Sequence, residues 1–330
     1  MIRIDGSYLE GGGQIVRGAV AFAALTGEPV TISDIRKKRS NPGLAAQHCA
    51  AVRAVAAVCD AACTGLFPGS TELVFSPERC TGRDIAIDVG TAGSIPLVLQ
   101  AWLPVALAEG GSITVSGGTE VLHSPTIDYF DAVYAEALRR HGADIRVTIG
   151  QRGYYPRGGG QVTATVAPAR LRPIAADDAA PGEALRIFSC SSNLPPHVTE
   201  RQAEAAERSL AGAFPFVPTS TLDCRSGPST GSSCTVACGL KGGIALGRRG
   251  YPAEEVGREA AGEFLAAYNG PGACDVHLAD QLIIILAVAG GRITTAAPSD
   301  HTRTMCWLAA AFGSEVAVRE QGGGAWEIAA

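Results

Sequence analysis

At 330 residues, with 46% hydrophobic and 18% charged residues, the chain has the composition of a packed globular protein with room for two domains, which excludes a disordered or low-complexity reading. The net charge of -5 argues against binding nucleic acid through a general basic field, so such a partner needs a local basic site. Ten cysteines without a charged and apolar leader point to a reduced, cytoplasmic protein, and the longest apolar run, from Leu282, falls well short of the ~20 residues of a membrane span.

In chain order, MIRID reads as a strand. GQIVRGAVAFAALTGEPVTISDI from Gly13 then reads as an apolar helix, a Gly-containing turn and a β-rich run. The loop RKKRSNPG, a helix from Gly43 and LFPGSTELVFSPE from Leu66 complete the unit. The pattern returns with DIAIDV, the helix and strand from Ser94, the loop GGTEVLHSP, a helix from Thr126 and YYPRGGGQVTATVAP from Tyr154. A third copy takes ACDV as its leading strand, then the helix from Asp280, the loop APSDHTRT, a helix from His301 and QGGGAWEIA from Gln321.

Between the second and third copies lie about 100 residues of another pattern, entered through the linker IAADDAAPGEA. They read as a strand at ALRIFSC, a helix from His197, strands at TSTLDC and SCTVACGL, and a helix at PAEEVGREAAGEFLAAY. The fold class is therefore α/β (α+β): three β-α-β-α-β-β modules form a large domain over 1–170 and 273–330, with a small β-α-β-β-α domain inserted at 171–272.

The triplet GGG occurs three times. At Gly158 and Gly322 it sits in the turn feeding a module's last strand, where glycine supplies unusual backbone angles. At Gly11–Gly13 it precedes a helix, either as a plain turn or as an edge where a ligand's phosphates approach free N–H groups.

The loops before each module's second helix carry the basic run Arg36–Arg39, His123 with Pro125, and His301. Glu10 and Asp280 mark the entries to first helices, where a carboxylate also suits the dipole. His48 and His141 read as structural, and His197 lies apart in the insertion. Two CxxxC pairs, Cys59 with Cys63 and Cys234 with Cys238, lack the second pair of a zinc site. No Ser-His-Asp order, zinc-protease helix or GxxxxGK[ST] loop is present.

RGYYPRGGGQV, Arg152–Val162, resembles the signature of the RNA 3′-terminal phosphate cyclases. DGSYLEGGGQIVRGA, IRKKRSNPGLAAQH, GTAGSIPLVLQ, SGGTEVLHSPTIDY, LPPHVTERQ, HLADQL and PSDHT follow that family's order over nearly the whole chain. The resemblance implies an enzyme using ATP, with Mg2+ or Mn2+, to turn an RNA 3′-phosphate end into a 2′,3′-cyclic phosphodiester through a covalent histidine-AMP. It makes His301 the nucleophile, whose imidazole must be neutral to attack. By the same resemblance Glu10 sits beside the triphosphate and metal, and Arg17, Arg36 and Arg39 suit phosphates. Gln100 and Asp280 fall around the nucleotide, and Pro125 packs on adenine. On the other face of adenine a residue such as Tyr is expected, and His277 stands there instead. Two other readings share the architecture. A non-catalytic cyclase-like binder would lack the histidine of PSDHT, and an enolpyruvyl transferase would lack RGYYPRGGGQV as well.

Overall fold

A computed structural model describes residues 1–176, 183–213 and 217–330. The first sheet contains β1 (Ile2–Asp5), β2 (Val30–Ser33), β3 (Ala62–Thr64) and β4 (Leu73–Ser76) in the order β1-β2-β4-β3. β1 and β2 are parallel, so they need the crossover helix α1 (Gly13–Thr26), while β4 runs antiparallel to both its neighbours; α2 (Ala46–Cys59) follows β2. The second sheet repeats this order with β5 (Arg83–Asp88), β6 (Gly111–Gly117), β7 (Ile145–Gln151) and β8 (Gly160–Val166), as β5-β6-β8-β7. Its crossover is α3 (Ile95–Glu109); its second helix begins as α4 (Ile127–Tyr129), widens through a π-turn at Phe130–Ala135 and ends as α5 (Glu136–Arg140).

The third sheet begins earlier than its sequence suggests. β9 (Ile174–Ala176) is its parallel edge strand, so the residues from 273 to 276, read above as the leading strand, are free for another role: Asp275 caps a helix. The insertion follows, with β10 (Arg186–Ser192), α6 (His197–Leu210), β11 (Thr219–Arg225), β12 (Gly231–Cys238), β13 (Lys241–Leu246) and α7 (Ala253–Asn269), and its sheet runs β11-β10-β12-β13. β13 is a strand that the reading above did not include. Most of the linker IAADDAAPGEA lies outside the described residues. The chain closes with α8 (Val276–Ala289), β14 (Gly291–Thr295), α9 (Asp300–Ala311), β15 (Ala317–Gly322) and β16 (Ala325–Ala329), giving the order β15-β16-β14-β9.

The crossover helices α1, α3 and α8 are strongly apolar; α1 and α3 bury nearly all round, while α8 buries its Leu278–Leu286 face and leaves His277 and Val288 exposed. One continuous core unites the three sheets, with Phe22, Trp102, Phe130, Leu282 and Leu308 in it; the insertion has its own smaller core around Ile187, Val236 and Phe264. In α3 the burial of Ile95–Leu107 is interrupted only at Gln100. Among the described residues no helix is long and apolar enough to cross a membrane, and all ten cysteines are free thiols.

Strand direction positions the site. α1 and α3 each follow the first strand of a parallel pair, and α2, α4 and α9 each follow the second, so these helices start beyond the C-terminal ends of parallel strands, the usual place for ligands in such folds.

Candidate active site

At that end lies a cleft of about 490 Å³ walled by all three modules: Gln14, Arg17 and Gly18 from α1, Leu97, Gln100 and Ala101 from α3, the loop His123–Pro125, Asp280 and Gln281 from α8, and Ser299 and His301 at the start of α9. The insertion contributes Ile244 of β13 and Glu263 of α7.

His301 is the second residue of α9. Ser299 caps this helix: its Oγ accepts from Thr302 N–H at 3.0 Å, and Thr302 Oγ1 accepts from Ser299 N–H at 3.1 Å. Both hydroxyls then donate to Asp280 Oδ1, that of Ser299 at 2.7 Å, so the carboxylate of α8 ties down the turn bearing His301. Burial raises the Asp280 carboxyl above its ordinary pKa, and the hydroxyls of Thr302 and Ser299 oppose it.

Glu10 reaches the histidine from the loop before α1. Its Oε2 lies 3.4 Å from His301 Nδ1 and 3.1 Å from Arg39 Nη2, so the RKKR loop meets the site through Arg39. Arg36 is tied elsewhere: its Nη1 donates to the Gly43 carbonyl at 3.0 Å, and it does not line the cleft. Burial lowers Arg17 to about 10, which leaves a cation in the cleft at neutral pH. Beside it stands His48, 4% exposed; burial first, then Arg17 and Arg36, hold it down to about 3, so it is neutral.

The first glycine triplet differs from the other two in use. Gly11 adopts φ +58, Gly12 is the extended N-cap of α1, and Gly13 lies against the His48 ring. The triplet thus joins the Glu10 loop to α1, with Gly11 N–H donating to the Tyr8 carbonyl at 2.8 Å, whereas Gly158, Gly159 and Gly322–Gly324 all take positive φ in strand-connecting turns.

Three glutamines mark what the cleft lacks by itself. Gln14 Nε2, Gln100 Nε2 and Gln281 Oε1 are buried and have no hydrogen-bond partner, a cost a polar ligand would remove. Gln14 and Gln281 were not singled out from sequence, although each adjoins a residue that was: Gly13 and Asp280. Pro125 and His277 both line the cleft, as does His123 at φ +60. Among the described residues no three acidic, histidine or cysteine side chains form a ready-made metal cage.

Comparison with known proteins gives one consistent relationship. A family model described as RNA 3′-terminal phosphate cyclase matches residues 8–317. The chain is 45% identical over 316 residues to the RNA 3′-terminal phosphate cyclase of Methanococcoides burtonii, covering 94% of each chain. It is 43% identical over 318 residues to that of Archaeoglobus fulgidus, covering 94% of this chain and 95% of the relative. With the Halobacterium salinarum protein of the same name it shares 40% over 346 residues and 99% of both chains.

Proposed function

Because this chain belongs to the RNA 3′-terminal phosphate cyclase family, we propose that it uses ATP to convert an RNA 3′-terminal phosphate into a 2′,3′-cyclic phosphodiester, with His301 as the nucleophile. The observation that carries this reading is His301 at a helix N-terminus, with Glu10 against Nδ1 and a cleft holding Arg17 and unpartnered glutamine atoms in front of it.

Glu10 favours the tautomer with the proton on Nδ1, which leaves the Nε2 lone pair to attack the α-phosphorus of ATP. A bond forms from nitrogen to phosphorus, the bond to the bridging oxygen breaks, and pyrophosphate leaves. Arg17 and the α9 N-terminus face the charge that develops. Pro125 and His277 flank the base, and Gln14, Gln100 and Gln281 supply hydrogen bonds to the nucleotide's polar atoms.

The donor set fits a divalent ion brought in with the nucleotide, because Mg2+ is commonly held by one or two carboxylates plus phosphate oxygens. Glu10 is the residue that would hold it, and the ion would supply charge neutralisation for the triphosphate.

AMP then passes to the RNA 3′-phosphate, and the 2′-hydroxyl beside it displaces AMP to close the ring. That closure is intramolecular, so it gains from high effective molarity and requires ribose. Arg39 places a cation at the rim where the RNA phosphate enters.

The test is incubation with magnesium and ATP labelled at its α-phosphate, without RNA, followed by a denaturing gel and an acid challenge. An acid-labile label on the protein that disappears in His301→Ala is expected. Folded protein that takes no label would replace this reading with a non-catalytic RNA binder.

A further inference from the structure

The inserted domain reaches the cleft at one charged point. Glu263 of α7 is anchored by Oε2, which accepts from Ile244 N–H at 2.8 Å, and its Oε1 lies 3.6 Å from His277 Nε2. The approach is set by the backbone, because β13 is docked onto the start of α8. Gly242 N–H donates to Asp275 Oδ2 at 2.9 Å, and Asp275 N–H donates to the Leu240 carbonyl at 3.2 Å. His277 is the second residue of that helix, so its ring is held where the insertion's carboxylate meets it.

The charged and titratable groups around this ring are mostly acidic. Glu263 faces it from α7, and Asp275 and Asp280 from α8; Tyr129 of α4 donates its hydroxyl to Asp275. Across the cleft stand His123, Arg17 of α1 and His301 of α9. Glu263 foremost, against the opposing effect of burial and helped by Asp275 and Asp280, pushes His277 up to about 9.

We propose that Glu263 is a positioning residue for nucleotide binding: it holds His277 as an imidazolium against the base, so that the inserted domain governs how tightly the cleft grips ATP. This rests on the reading that the cleft takes ATP. A cation over an aromatic face is held more strongly than a neutral ring, and the purine face is such a surface. Tyr at this position would stack without titrating in the neutral range. The insertion therefore acts as a wall of the nucleotide site and not only as a companion domain.

The experiment uses the full chain and an ATP analogue whose α- and β-phosphorus atoms are bridged by a methylene, which blocks attack by His301. Its Kd, with magnesium, is measured by calorimetry between about pH 7.5 and about pH 10, where the triphosphate charge is constant, for the wild type, Glu263→Gln and His277→Tyr. In parallel, the His277 ring is titrated by NMR in the nucleotide-free protein. The wild type should bind evenly at first and then weaken about three- to tenfold as pH passes about 9. Glu263→Gln should already be weakened to that extent at the lowest pH, with its His277 midpoint moved down by at least about two pH units, below the range of the binding measurements. His277→Tyr should show no step near about pH 9, since its own phenol loses its proton only toward about pH 10. Binding and ring titration in Glu263→Gln that superimpose on the wild type would overturn the proposal while leaving the function intact. Absence of binding in all three proteins would overturn the function itself and this proposal with it.

Discussion

Gly13 opens α1 against a buried ring, and a single methyl group there tests how the cleft is built. A Cβ at this position would lie 2.0 Å from His48 Nε2, 2.6 Å from Cδ2 and 2.8 Å from Cε1. The ring has little freedom to withdraw, being 4% exposed and bound through Nδ1 to Ala45 N–H at 3.0 Å. Two effects oppose each other in Gly13→Ala. Replacing glycine near a helix start gains up to about 1 kcal/mol of backbone entropy. Displacing the imidazole costs about 1 kcal/mol for the Ala45 hydrogen bond and about 1–3 kcal/mol for overpacking. The balance is a loss of roughly 1–3 kcal/mol. With His48→Ala in the background the obstruction is gone, so the same change should be neutral or stabilising, giving a coupling of about 2 kcal/mol or more. Urea unfolding of the four proteins in this cycle measures it. Because Gln14 and Arg17 follow on the same helix and line the cleft, the labelled-ATP reaction should be lost in Gly13→Ala and partly return in the double variant. A coupling within ~0.5 kcal/mol of zero would refute the reasoning, since additivity of that quality belongs to residues that do not touch.

Other consequences follow from the same geometry. His48 is depressed to about 3 in the folded chain, so below the ordinary histidine pKa the unfolded chain takes a proton that the folded one refuses. Its contribution is whole above about pH 6.5 and is lost as pH falls toward about 3, by up to about 1.4 kcal/mol per pH unit. His48→Gln should flatten the acid limb of urea midpoints, and an unchanged limb would assign it to other groups. A Cβ on Gly12 meets Gln14 Oε1 at 3.1 Å and Arg39 Nη2 at 3.5 Å, both polar side chains at or beside the cleft. Gly12→Val should therefore weaken nucleotide binding about tenfold or more while stability changes by less than about 1 kcal/mol, whereas matched losses would make the triplet a plain turn. Arg152, 4% exposed, bonds Glu120 and Asp128 of the second module at 2.7 Å each and Asp223 of the insertion at 2.9 Å. Arg152→Met strands the carboxylates of Asp128 and Asp223 and should cost about 3–5 kcal/mol in urea unfolding. Glu120→Gln should cost far less, because burial already pushes that carboxyl up to about 8 and keeps it protonated at neutral pH.

The parts of the fold that sequence reveals are those whose local pattern and tertiary role agree. α1, α3 and α8 are apolar along their length and stopped by glycine, so their period and their burial say the same thing. β9 is the opposite case: three residues in an Ala- and Pro-rich stretch become a strand only because β14 pairs with them. The stub from 273 to 276 imitates a leading strand, yet Asp275 accepts from Leu278 N–H at 2.8 Å, which is an N-cap. β13 hides behind Gly242 and Gly243, which lack side chains because Tyr129 and the backbone of α7 would meet a Cβ at 2.6 and 2.3 Å.

The candidate site divides in the same way. His301, Glu10, Arg17, Gln100 and Asp280 lie in quoted motifs and come together around one cleft, directly or through a neighbour. Glu263 carries no such mark, being one acid among several on an amphipathic helix, and nothing in PAEEVGREAAGEFLAAY separates it from Glu255 or Glu259. What distinguishes it is position: β13 pins the insertion to the α8 N-cap, and the helix packed on β13 then presents this carboxylate, and not its neighbours, to His277. A residue whose role arises from the docking of two separately cored units has no local signal to read. The departure at His277 and the acid that meets it belong to one arrangement, so replacing either alone should expose the other. Glu263→Gln leaves an imidazole without its counter-charge, and His277→Tyr leaves a carboxylate beside the base with no cation to neutralise it. If the two act as a unit, Glu263→Gln should weaken nucleotide binding in the wild type and strengthen it in His277→Tyr. That reversal of sign cannot arise from packing alone, because a glutamine Oε1 still accepts from Ile244 N–H and any packing change is the same in both backgrounds.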